Sequence, residues 1–304
     1  MSSVGATLIA ANKARSRSPD AAVRGPTPVS ASQSVHGVAR LGYRLRDGRT
    51  ALADLYQRDP QRVLFPRVPE AEPDTAVLVT TSGGLVGGDR LQVSVTAGMG
   101  TQVLVTTQAA EKIYRSNGAD CRITTELSLG DGAWLEWLPQ EAILFDGARL
   151  RRQTQVEMHP GGHLLAGEMM VFGRTASGEC LSHGLLNDRW TVRIGGRRRW
   201  MDAIHLADAL TESLTAAAGF DGAVACATLI YVAPDSAERL ELARTLLPER
   251  SPVVSAATLV NGVLLLRWLA RDALLLRRAY SDFRRTFRHR VAGLPAALPR
   301  LWSI

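Results

Sequence analysis

Cysteine is scarce in this chain, and lysine is nearly absent. The three cysteines (Cys121, Cys180 and Cys226) are far apart, odd in number and outside any C-x-x-C pattern. That excludes a disulfide framework and a thiolate zinc site, and it points to a reducing compartment. Of 36 basic residues only Lys13 and Lys112 are lysines, which codon bias explains more simply than a catalytic amine at Lys112. Long apolar runs are missing too. The most apolar segment, 259–276, is interrupted by Asn261, Gly262, Arg267, Arg271 and Asp272, and is too polar to span a bilayer. The N-terminus lacks the apolar core of a signal peptide. Residues 1–38, rich in Ala, Ser, Pro and Arg, weakly imitate an organelle transit peptide but read more simply as a disordered tail.

Catalytic signatures are equally sparse. No G-x-S-x-G is present, no histidine lies near a candidate nucleophile, and no H-E-x-x-H spacing occurs. Only His159 and His163 stand close, as H-P-G-G-H. They are either isolated turn histidines or two ligands of a shared metal. The sequence predicts no enzyme.

What is present is enough chain, 304 residues, 46% of them hydrophobic, to bury a full core. The net charge of +7 sits at the ends. Residues 1–40 carry +4, residues 264–304 carry +7, and the middle is mildly acidic. A nucleic-acid binder more often carries its charge on the folded face.

The first two thirds are patterned for strands. Leu91, Val93 and Val95 alternate with polar residues, and glycine turns recur at 98–100, 130–132, 161–162 and 195–196. Segments aligned on these turns, such as LQVSVTAGMGTQVLVTTQ and ITTELSLGDGAWLEWLPQ, place Gln108 and Gln140 in one register. Stacked units of a β-solenoid explain this, and an antiparallel meander or sandwich is the alternative. The body over 39–220 is therefore predicted to be β. The portion over 221–304 reads as α/β: a strand at 223–232, and a helix opened by Asp235 and Glu238 that runs to Leu247. A hairpin at Asn261-Gly262 and a last helix with a stripe through Leu269, Ala273, Leu276, Tyr280, Phe283 and Phe287 complete it. Its strand and helix order suggests a small unit packed on the β body.

The glycine-rich stretch TTSGGLVGGDRL, 80–91, has half of a phosphate-binding loop. Asp89 and Arg90 occupy the places where lysine and a hydroxyl are needed, and a strand pattern follows instead of a helix. The glycines are better read as sites of positive φ or close backbone approach. Glu141 and Asp146 flank Ala-Ile-Leu-Phe, and Glu168 opens a similar apolar stretch. Acids there must be paired or face water. They are either solvated or bonded to arginines such as Arg149, Arg151 and Arg152, or they line an internal acidic passage. Glu141 and Asp146 have opposite strand parity, so facing one space needs a bend between them.

The segments SGGLVGGDRL (82–91), TTQAAEKIYRS (106–116), LPQEAILFDGARL (138–150) and GEMMVFGR (167–174), in this order and spacing, resemble the urease accessory protein UreD family, called UreH in some bacteria. The resemblance runs from about Arg40 to the C-terminus. Glu111 and Ala142 stand where the family pattern suggests threonines. The resemblance implies a cytoplasmic, non-enzymatic, β-rich protein forming a single domain over 39–304. It implies a hetero-oligomer, with two-fold assembly possible, that binds apo-urease and UreF and reaches the GTPase UreG through UreF. It implies transient Ni²⁺ and no permanent cofactor, no nucleic acid and no membrane. Glu141, Asp146 and Glu168 become candidate oxygen ligands along a nickel path, with Thr81, Ser82 and Asp89 as candidate tunnel-lining groups. The runner-up is an assembly scaffold through which no nickel passes.

Overall fold

A computed structural model describes residues 34–249 and 251–302. The expected tail, 1–38, falls mostly outside them, and its last residues already belong to a strand. The chain opens with a hairpin of β1 (His36–Arg46) and β2 (Arg49–Arg58), then a short β3 (Gln61–Leu64). Four coils follow, each laying one long strand in each of two sheets. They run from β4 (Asp74–Thr80) to β5 (Arg90–Ala97), and from β6 (Gln102–Thr107) past β7 (Glu111–Ile113) to β8 (Cys121–Leu129). The third runs from β9 (Trp134–Leu138) past β10 (Ala142–Leu144) to β11 (Arg149–Met158), and the fourth from β12 (His163–Phe172) to β13 (His183–Ile194).

Coils stack in parallel register. Leu91 lies beside Ile123 in one sheet, and Gln102, Trp134 and His163 line up in the other. The shared register of the two glutamines is real: Gln140 Nε2 donates to the Gln108 carbonyl at 2.8 Å. This is the solenoid-like stack, and antiparallel strands are confined to its margins.

One sheet has seven strands, in the order β14-β13-β11-β8-β5-β1-β2, where β14 (Arg197–Ala209) returns antiparallel to β13. The other runs β16-β17-β15-β12-β9-β6-β4-β3. Its late strands are β15 (Ala225–Val232), β16 (Val253–Val260) and β17 (Val263–Ala270). They extend the sheet edge to edge from β12, so the C-terminal portion is not a separate unit packed on the body. Asn261 and Gly262 both take positive φ between β16 and β17, as the hairpin signal requires.

Three helices complete the chain: α1 (Leu210–Thr215), α2 (Leu240–Thr245) and α3 (Ala273–Ala292). The α2 helix starts later than its capping signal predicts. Asp235 accepts instead from the Tyr231 hydroxyl and from Arg239, which removes the cap. Asp272 caps α3 by accepting from the Leu275 amide at 2.9 Å, and Gly293 ends it in the left-handed region. Leu276, Tyr280, Phe283 and Phe287 are buried against the second sheet, as the stripe predicts, whereas Leu269 lies in β17. With α3 on its outer face, that sheet is covered on both sides. This is why β9 and β12 are buried almost throughout while β5 alternates.

Candidate functional site

The glycine-rich stretch is a bend between β4 and β5. A side chain at Gly87 would come within 2.1 Å of Ser116 Oγ and 2.5 Å of the Ala119 carbonyl, and one at Gly84 would strike the Tyr114 ring. These glycines let the bend lie flat on the 114–119 loop. Both carboxylate oxygens of Asp89 are occupied, by the Val35 amide at 2.9 Å and the Val86 amide at 2.8 Å. Asp89 fixes the bend through these two amides. Thr81 and Ser82 are exposed and bond to the carbonyls of Pro60 and Gly84.

Each of the three candidate acids is paired with an arginine, and the three stand in different surroundings. Glu141 is half-buried, held by Arg277 of α3 at 2.5 Å, while the same guanidinium donates to Gln140 Oε1. Asp146 borders a surface cleft of about 770 Å³ lined by Arg115, Ser182 and His183. Burial works against its charge, but donation from the Ser182 amide and hydroxyl and the His183 amide outweighs it and holds its pKa low. Glu168 alone is inside, 5% exposed.

The surroundings of Glu168 follow from strand alternation. On β11 the inward positions read Leu150, Arg152, Thr154, Val156; on β12, Ala166, Glu168, Met170; on β13, Leu186, Asp188, Trp190. In each strand the polar residues lie between two apolar clusters that fill the two ends of the body. Arg152 Nη2 reaches Glu168 at 2.6 Å, and its guanidinium forms a two-pronged pair with Asp188 at 2.9 and 3.0 Å. Thr154 donates to Glu168 at 3.3 Å across the gap between the sheets. Burial pushes the Glu168 pKa up, and Arg152 opposes the shift without cancelling it. Arg152 itself is held more firmly protonated by its two carboxylates.

A second polar cluster lies nearer one end of the body, where Glu111 is level with Ala142 and Met170. Gln61 donates to Thr80 at 3.0 Å, and Thr80 donates to Glu111 at 2.5 Å. Burial pushes Glu111 up to about 7 against that hydrogen bond. Thr125, beside Thr154 in register, is also fully buried. Thr125, Arg152, Thr154, Glu168 and Asp188 thus form a polar band between the two sheets, of which the sequence offered Glu168 as a candidate acid and Arg152 as a candidate partner. The signal was present as single polar residues at inward positions of β8, β11 and β13. It was unreadable without knowing which face was inward.

On the outer face of the second sheet, Glu136 is completely buried beneath α3, where Arg284 and Arg288 both reach it. Burial works against its charge and the two guanidiniums outweigh that, so its pKa falls below the usual carboxylate value. The paired histidines do not converge: His159 Nδ1 lies 2.9 Å from Asp131, while the His163 ring lies against Trp134. Among the described residues, no group of three or more His, Cys, Asp or Glu stands together as a metal site. No helix among them is long and apolar enough to cross a membrane.

Residues 35–303 match the profile of the family described as UreD urease accessory protein. The chain is 47% identical over 283 residues to the urease accessory protein UreD of Magnetococcus marinus, covering 92% of this chain and 98% of that protein. It is 41% identical to the UreD 2 protein of Methylorubrum populi, over 91% and 93% of the two chains. To UreD of Azorhizobium caulinodans it is 40% identical, over 90% and 97%.

Proposed function

This chain belongs to the UreD family of urease accessory proteins, and from that premise we propose that it carries nickel toward apo-urease along the polar band inside its β body. In this reading it docks on apo-urease and on UreF in the cytoplasm, and the GTPase UreG joins through UreF. Nickel is cargo, held briefly and passed on. The protein performs no chemistry of its own, in keeping with relatives named accessory proteins.

The observation that carries the reading is Glu168, buried with Arg152 and Asp188 between two apolar clusters. A buried charged trio is expensive compared with aliphatic residues of similar volume. With Arg152 and Asp188 both charged, the trio is neutral when Glu168 is protonated and carries one negative charge when it is not. A carboxylate whose pKa is raised can take up a divalent cation in place of its proton and release it again. Carboxylate and hydroxyl oxygens are moderate ligands for nickel, suited to transfer and not to trapping. Glu141 and Asp146, outside this band, serve on such a path only at its approaches.

Urease activation at limiting nickel tests the reading, with Glu168→Gln in an assembly shown intact by size-exclusion chromatography. Loss of activation with assembly retained is expected. Full activation by that variant would favour the alternative, a scaffold that holds the complex together without passing nickel.

A further inference from the structure

The two edges of the seven-stranded sheet are unlike. β14 shields its edge with exposed charge at Arg197, Arg198 and Arg199, the usual protection against unwanted strand pairing. β2, at the other edge, carries bare leucines. The register sets Leu55 opposite Leu41 and Leu52 opposite Tyr43. Leu41 and Tyr43 are 2% and 4% exposed and belong to the core, whereas Leu55 and Leu52 are 43% and 39% exposed. The same side of the sheet is covered under β1 and uncovered under β2. The cause is the second sheet, which ends at the four-residue β3 and reaches no further. Leu45 on the same face, also exposed, enlarges the patch.

We propose that β2 receives one extended strand of a partner protein, apolar at alternate positions and acidic at both ends. The outer edge of β2 offers backbone groups that no other strand among the described residues pairs, and strand addition supplies affinity through them while side chains read the sequence. Alternate apolar residues of the added strand continue the row formed by Leu52 and Leu55. The acidic ends follow from charge: residues 36–65 hold six arginines against three aspartates. Arg44, Arg46 and Arg49 lie at one end of the hairpin, and Arg58 and Arg62 lie at the other. A second copy of this chain fits worse. The antiparallel pairing that sets Leu52 against Leu55 also sets Arg49 against Arg58, and like charges directly opposite are destabilising.

The inference rests on the proposed function only in supplying that scaffold with a surface for a partner chain. Its test needs neither urease nor nickel, so either can fail alone. The probes are two fluorescein-labelled capped peptides, EVTVTVE and KVTVTVK, titrated into the full chain. Anisotropy should show the acidic peptide binding at least about tenfold more tightly, a difference of about 1.4 kcal/mol. Binding should disappear in the Leu52→Lys, Leu55→Lys double variant, whose circular dichroism should stay native because both positions are exposed. Deuterium uptake over 51–57 should slow when the acidic peptide is bound. The proposal is overturned if neither peptide binds, if both bind equally, if the double variant binds as before, or if the chain dimerises through this edge.

Discussion

Arg288 of α3 and Glu136 of β9 form a fully buried ion pair, Nε to Oε1 at 2.9 Å, and the same guanidinium reaches Glu72 at 2.8 Å. Arg284, one turn earlier, also bonds to Glu136. One carboxylate in the third coil thus anchors the last helix. Glu136→Gln leaves the buried Arg284 guanidinium without a counter-charge and Arg288 with Glu72 alone, and the expected loss is about 3–5 kcal/mol. Urea unfolding measures it. Exposed Arg278 on the opposite side of α3 serves as control, and Arg278→Ala should change stability by no more than about 0.5 kcal/mol.

The same group predicts an acid limb. Because the pKa of Glu136 is lowered in the folded chain, its contribution is complete above the unfolded carboxylate pKa. It is lost as pH falls through the folded value. Stability measured from pH 6 downward should fall less steeply in Glu136→Gln than in the parent chain. Equal slopes would show that Glu136 is not a source of the acid sensitivity.

Glu111 has the opposite sign. Its pKa is raised from 4.5 to about 7 by burial, so across that window the folded chain holds a proton that the unfolded chain has released. Its contribution to stability therefore falls as pH rises through the window, and above it the buried charge is a net burden. Glu111→Gln should gain about 1–3 kcal/mol on the parent chain at pH 8 and nothing at pH 4. Paired urea titrations at the two pH values decide it.

Coil length and strand alternation were written plainly in the sequence. Glycine turns mark each coil, and Leu91, Val93 and Val95 show their buried face directly. The hairpin at Asn261-Gly262 was legible because only that turn geometry accepts two positive φ values. The arginines were not legible. Nothing in the sequence marks Arg284 and Arg288 as buried, yet both are, because a guanidinium is hidden only when a distant residue such as Glu136 meets it. Glu141, Asp146 and Glu168 looked alike as acids within apolar segments. Their separation into a helix anchor, a cleft rim and a core site depends on long-range pairing with Arg277, Arg115 and Arg152.

Gly87 tests the reading of the glycine-rich bend as close packing. Its φ is not positive, so the obstacle to a side chain is steric alone: a Cβ would lie 2.1 Å from Ser116 Oγ and 2.5 Å from the Ala119 carbonyl. Gly87→Ala must move a backbone carbonyl as well as a hydroxyl, and about 1–3 kcal/mol should be lost. Gly83, with open space around its Cβ position but φ of +74°, separates the two causes. Gly83→Asn, which tolerates the left-handed region, should cost less than Gly87→Ala in thermal unfolding. The reverse order would mean that conformation, not contact, dictates the glycines.

Neighbouring carboxylates in the band separate nickel passage from mere structure. Asp188 is clasped by both prongs of Arg152, so Asp188→Asn weakens that pairing and should lower stability by about 1–3 kcal/mol. Glu168 meets the same guanidinium by a single contact and has its pKa raised, so its protonated form already resembles glutamine. Glu168→Gln should therefore change stability little at pH 5.5 and still reduce urease activation about tenfold or more at limiting nickel, an effect worth ~1.4 kcal/mol or more. Raising nickel should restore activation in Glu168→Gln if the residue serves transfer. If activation instead tracks thermal stability across both variants, Glu168 belongs to the architecture of the core and the ion takes another route.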